Sequence, residues 1–77
     1  MNETERESKR DAIRSLEKSA EGHAMMRDTF TLDGLGVSAR LEEMRRARCI
    51  AAADELRAEL ARDEESAEVA AGQAMMF

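Results

Sequence analysis

The side chains capable of chemistry in this sequence are few: one histidine, one cysteine and several carboxylate pairs. His23 and Cys49 are predicted on different helices, so one chain cannot supply a tetrahedral metal site. Cys49 recurs with apolar residues at helical spacing, which predicts a buried, inert thiol rather than a nucleophile. The Asp33–Gly36 stretch lacks both the glycine spacing and the lysine of a phosphate-binding loop.

Adjacent carboxylates occur at 42–43 and 64–65, but neighbouring residues on a helix point in different directions. Without a pocket, such pairs do not indicate acid–base catalysis. The sequence therefore predicts a protein that is not an enzyme and uses no cofactor and no metal.

Composition indicates a small helical protein in need of a partner. The chain has 77 residues, of which 43% are hydrophobic, but fourteen of these are alanines that bury little area each. A single core of this size is marginal, so self-association is expected. The net charge of −5 opposes binding to nucleic acid phosphates. One cysteine, no signal-peptide pattern and no membrane-spanning run favour a cytoplasmic location.

The first predicted helix covers about residues 3–26. Thr4 and Glu7 have the spacing of a capping box at its start. Ile13, Leu16 and Ala20 then recur at helical spacing, but this apolar stripe is narrow and can cover only one face of another helix.

A connector is predicted over residues 27–37, since Asp33-Gly34 is a turn signal. Phe30, Leu32, Leu35 and Val37 make it unusually apolar, and they are expected to cap the open end of a helical hairpin. Alternatively, the alternation in residues 29–32 predicts a short strand that would need a partner chain.

The long second helix is predicted over residues 38–63, which contain no Gly or Pro, with Ser38 as its N-cap. One apolar stripe contains Leu41, Cys49, Ala52, Ala53, Leu56 and Leu60. A homodimer interface is expected on this stripe, formed by Leu41, Cys49, Ala52, Leu56 and Leu60. An opposite stripe of small residues, at 47, 51, 58 and 61, either admits another backbone closely or is helix-favouring surface. Residues 64–77 are predicted as a C-terminal helical tail, either a third short helix or a continuation of the long one.

Residues 29–33, with the letters TFTLD, precede a helix containing RLEEM at residues 40–44. This arrangement resembles the start of a ribbon-helix-helix DNA-binding domain. The resemblance implies a dimer whose paired strands enter the major groove, with Thr29, Thr31 and Arg27 facing bases. The resemblance ends after residue 44, since residues 45–63 lack the turn that separates the two helices of that family.

The predicted architecture is an all-α helical hairpin with a C-terminal extension, assembled as a dimeric helical bundle from one small domain. Its expected function is that of a small protein-binding regulator, an adaptor or inhibitor that occupies a surface of a larger partner protein. This size is common among phage-encoded or operon-encoded modulators. The alternative is a dimeric DNA-binding regulator. The predicted partner-binding residues are apolar and lie near the connector and at the C-terminus: Met25, Met26, Phe30, Leu32, Leu35, Met75, Met76 and Phe77.

Overall fold

The chain folds as a hairpin of two antiparallel helices. The computed structural model describes the backbone of residues 1–75 and the side chains of residues 1–72. Helix α1 spans Glu3–Leu32 and helix α2 spans Gly36–Met75, and the described residues contain no strand. The molecule measures 66 × 18 × 12 Å, so it is a single layer of helices. The predicted all-α class and helical hairpin are confirmed.

The N-cap of helix α1 lies two residues earlier than predicted. The Asn2 side chain, in an extended backbone conformation, accepts a hydrogen bond from the backbone N–H of Glu5 at 2.8 Å. Asparagine is among the best N-cap residues because its oxygen satisfies a free helix N–H. The predicted cap at Thr4 is therefore wrong, since Thr4 lies within the helix.

The predicted end of α1 at residue 26 and the connector over 27–37 are also wrong, because the helix continues to Leu32. The hydroxyl of Thr29 donates to the carbonyl of Met25 at 3.0 Å, and that of Thr31 donates to the carbonyl of Arg27 at 2.8 Å. These bonds hold both threonines within the helix at little cost. The strand that the ribbon-helix-helix resemblance requires is thus helical here.

A three-residue turn, Asp33–Leu35, joins the helices, as the Asp33-Gly34 signal predicted. Gly34 has φ of 75°, the left-handed conformation that favours glycine. Its N–H donates to the carbonyl of Thr31 at 3.1 Å, and the N–H of Leu35 donates to the carbonyl of Phe30 at 2.8 Å. This pair of bonds is a Schellman motif, which satisfies the last carbonyls of α1.

Helix α2 begins at Gly36, so the predicted N-cap at Ser38 is wrong. The carbonyl of Leu35 already accepts the N–H of Ala39 at 3.0 Å. At its other end α2 runs through residues 64–75 without interruption, so the predicted tail continues the long helix. Helix α2 is longer than α1 and extends beyond it, and residues 64–72 are all exposed.

The two helices meet along a regular seam. On α1 the least exposed residues follow alternating steps of three and four: Arg6, Lys9, Ile13, Leu16, Ala20, His23, Arg27 and Phe30. On α2 the same steps connect Ala39, Glu42, Arg46, Cys49, Ala53, Leu56, Leu60 and Asp63. Such spacing is that of an antiparallel coiled coil. Apolar residues fill the middle of the seam, and of the apolar residues that the structure describes only Ile13, Ala20, Ala39 and Ala53 are buried.

Replacing Gly34 by alanine is expected to destabilise the hairpin by about 1–2 kcal/mol, the cost of a Cβ atom in a left-handed conformation. No atom lies within 4 Å of the added Cβ, so the backbone alone decides this effect. Gly22→Ala is the matched control. Gly22 is helical with equally open surroundings, so alanine there should stabilise by about 0.5–1 kcal/mol. Urea unfolding of both variants measures whether each substitution lowers or raises the free energy of unfolding. A Gly34→Ala protein as stable as wild type would contradict the left-handed conformation of Gly34.

Candidate protein-binding surface

Charged side chains occupy the seam at the end far from the turn. Arg6 Nε donates to Asp63 Oδ2 at 2.8 Å, and the N-terminal ammonium lies 3.4 Å from Asp63 Oδ1. Lys9 pairs with Glu59 one turn further in. Hydrogen bonding from Arg6 holds the pKa of Asp63 below its usual range, and Lys9 lowers the pKa of Glu59 in the same way.

A second charged cluster lies near the turn. Arg27 Nη1 donates to Glu43 Oε2 at 2.6 Å, and the ring nitrogen Nδ1 of His23 lies 2.6 Å from Glu42 Oε2. Glu42 is only 7% exposed, and Arg45 Nη1 donates to its other oxygen at 2.6 Å. The hydrogen bond with His23 lowers the pKa of Glu42, and Arg27 lowers the pKa of Glu43.

These charges pair across the seam between the two helices. In four of the five side-chain pairs that cross between the helices, the basic group lies on α1 and the carboxylate on α2; only Glu17 and Arg57 reverse this order. Complementary charge of this kind selects one register. Within the part of the chain that the structure describes, no three His, Cys, Asp or Glu side chains are grouped as metal ligands would be.

Exposed apolar side chains are concentrated near the turn. Of the ten large hydrophobic residues that are exposed in the described part of the chain, seven fall within residues 25–44. Four of them, Met25, Met26, Leu32 and Leu35, lie on the last two turns of α1 and in the connecting turn, and we call them the turn-end patch. Leu32 is 88% exposed and Met25 is 72% exposed. This patch is the candidate binding surface.

The turn-end patch contains four of the eight predicted partner-binding residues. Phe30 is half-buried in the seam, because it belongs to the same three-four spacing as His23 and Arg27. Its prediction as a loop residue was wrong, since α1 extends past it. Met76 and Phe77 lie outside the described residues, as does the side chain of Met75.

The predicted dimer-interface residues divide into two groups. Cys49, Ala52, Leu56 and Leu60 are half-buried, and within one chain the helix that covers them is α1. Leu41 is 48% exposed and lies outside the seam. The most buried side chain of the described residues, that of Ala53 at 1% exposure, belongs to the predicted apolar stripe but was not among the predicted interface residues. The three-four spacing of Cys49, Ala53, Leu56 and Leu60 is the signal that identifies it.

Neither helix has, within its described residues, an apolar stretch long enough to cross a membrane. No protein-family model matches the sequence, and no curated protein or solved structure is significantly similar to it.

Proposed function

We propose that this chain is a small non-enzymatic regulator that acts as a homodimer and binds a larger partner protein through its turn-end patch. In this role it is an adaptor or an inhibitor that occupies a surface of the partner. The partner contributes an apolar groove that accepts methionine and leucine side chains.

The exposed apolar side chains at one end of the hairpin carry this proposal. Monomeric soluble proteins seldom expose large apolar residues side by side, and a clustered set of them is typical of an interaction site. Methionine suits such a surface because its flexible side chain adapts to grooves of different shape. Arg27 and Asp28, which pair with each other at 3.0 Å, supply the polar border that interfaces usually have.

The hairpin's own side chains do not favour a catalytic role. Glu42, Glu43, Glu59 and Asp63 are each engaged by a basic group of α1, which keeps them ionised and occupied. With its carboxylates paired, the seam joins the two helices and leaves the apolar side chains near the turn exposed. The proposal rests on those exposed side chains.

The test is to capture partners with the full chain and with a variant carrying Met25→Ser and Leu32→Ser. Both residues are exposed and outside the seam, so helicity should not change. A protein captured by wild type, and identified by mass spectrometry, should bind the variant about 100-fold more weakly, as expected for two apolar anchors removed together.

Val69→Ser is the matched control, because Val69 is an exposed apolar residue of α2 far from the turn. It should retain wild-type affinity for the captured protein. Equal affinity of the wild type and the turn-end variant, measured with the purified partner, would overturn the proposal.

A further inference from the structure

Helix α2 has a second regular face, directed away from α1. Its residues follow the same alternating steps of three and four as the seam, at positions 37, 40, 44, 47, 51, 54, 58, 61, 65 and 68. This face, which we call the outer stripe, lies about 150° around the helix from the seam. Every residue in it is exposed, including the apolar Val37 and Met44. Within the described residues, no other part of the chain covers this face of the 40-residue helix.

The molecule exposes more surface than a compact protein of its mass. Its accessible surface is 5881 Å², whereas a folded monomer of this mass is expected to expose about 4,700 Å². The excess is larger than the roughly 800 Å² that each partner buries in a standard interface. A second helical layer on this 12 Å thick hairpin would remove such an excess.

Charges along the outer stripe are arranged asymmetrically. Arg40 lies near its beginning, and Glu65 and Glu68 lie near its end. None of the three takes part in an ion pair within residues 1–72. Between them the stripe is mostly alanine, so two helices could approach closely there.

We propose that two copies of this chain form an antiparallel dimer through the outer stripes of their α2 helices. A two-fold axis between residues 52 and 53 places Arg40 of each copy beside Glu65 of the other. The same register sets Met44 opposite Ala61 and Ala47 opposite Ala58, so large residues meet small ones. Because the dimer has two-fold symmetry, each of these pairs occurs twice.

The opposite orientation is disfavoured by the same charges. In a parallel dimer, Arg40 of one chain would lie beside Arg40 of the other, and each acidic residue would lie beside the same acidic residue of the other chain. These contacts between like charges are repulsive. The one charge in the middle of the stripe, Asp54, is paired with Arg57 of its own helix at 3.0 Å, and in the antiparallel register it faces Ala51.

This inference rests on the homodimer of the proposed function and names the surface through which the two copies meet. The turn-end patch stays uncovered in the dimer, because that patch belongs to α1 and the turn. The turns would lie at opposite ends of the assembly, about 55 Å apart along the α2 axis. Each dimer would therefore present two binding surfaces to its partner.

Charge reversal tests the register by sedimentation equilibrium at low ionic strength. Arg40→Glu alone and Glu65→Arg alone should each raise the dimer Kd about tenfold, since attraction becomes repulsion at two symmetric sites. The double variant should recover wild-type affinity. Lys18→Glu is the matched control, because it makes the same charge change at an exposed residue of α1 without an ion pair in residues 1–72, and it should leave the Kd unchanged.

Cross-linking gives a second measurement in a Cys49→Ser background. A variant with both Ala47→Cys and Ala58→Cys should yield a covalent dimer with a short bis-maleimide reagent, while either substitution alone should not. In the proposed register, residue 47 of one chain lies about 16 Å along the helix axis from residue 47 of the other chain. A short reagent therefore does not join two single-cysteine chains.

The proposal is overturned if wild type is monomeric at every concentration, if the double charge variant is no tighter than the single ones, or if single-cysteine variants cross-link equally well. A monomeric wild type would also remove the homodimer from the proposed function. Partner capture through Met25 and Leu32 is measured separately, so the turn-end patch and the dimer register can each fail alone.

Discussion

Substituting Ala53 by aspartate is expected to unfold the hairpin at room temperature. Ala53 is the most buried side chain of the described residues, and it faces α1 in the apolar middle of the seam. A carboxylate there loses its hydration, which costs about 3–5 kcal/mol for an uncompensated buried charge. Small domains have total stabilities of about 5–15 kcal/mol, and a core this thin belongs at the low end.

Circular dichroism at 222 nm, followed through a thermal melt, measures this effect. Ala71→Asp is the matched control, because Ala71 is an exposed residue of the same helix beyond the end of α1. That variant should melt close to wild type. A cooperative transition for Ala53→Asp at the wild-type temperature would show that residue 53 does not face α1.

Acid is expected to destabilise the hairpin strongly. The pKa values of Glu42, Glu43, Glu59 and Asp63 are all lowered in the folded chain by hydrogen bonds from basic groups. Carboxylates in the unfolded chain titrate near pH 4. The unfolded state therefore binds protons first as the pH falls, and the stability present above about pH 4 is lost as pH drops through the folded-state values.

Urea unfolding between neutral pH and about pH 3 should show this loss as a falling midpoint. Glu43→Gln removes one of the lowered carboxylates and should flatten the dependence. Glu7→Gln, which removes an exposed carboxylate without an ion pair in residues 1–72, should leave the slope as it is. A midpoint independent of pH in wild type would mean that the ion pairs between the helices do not contribute to folding.

The helical class and the position of the turn could be predicted because they depend on local chemistry. Asp33-Gly34 is a turn signal wherever it occurs, and residues 38–63 contain only helix-compatible side chains. The end of α1 could not be predicted in this way. Thr29 and Phe30 suit a strand equally well, and only the packing of α1 on α2 selects the helix.

The polar part of the seam was missed for a different reason. Arg6 and Asp63 look like ordinary surface charges in the sequence, and they meet only because the hairpin aligns residues 57 positions apart. The three-four spacing of the seam was present in the sequence, but an interpretation based on apolar residues alone passed over its charged members, such as Arg6 and Asp63. The connector predicted over residues 27–37 likewise placed Phe30 in a loop, whereas it lies in α1 and is half-buried in the seam.

The unequal length of the two helices has a consequence for local opening. Up to about Asp63, each turn of α2 is held by side chains of α1, so its amide protons exchange only when the helices separate. Between Asp63 and residue 72, no side chain of α1 forms a hydrogen bond or ion pair with α2, and so short a helical segment of a single hairpin is marginal in water. Amide exchange should therefore quicken along one unbroken helix, with the change in rate marking the last turn that α1 protects.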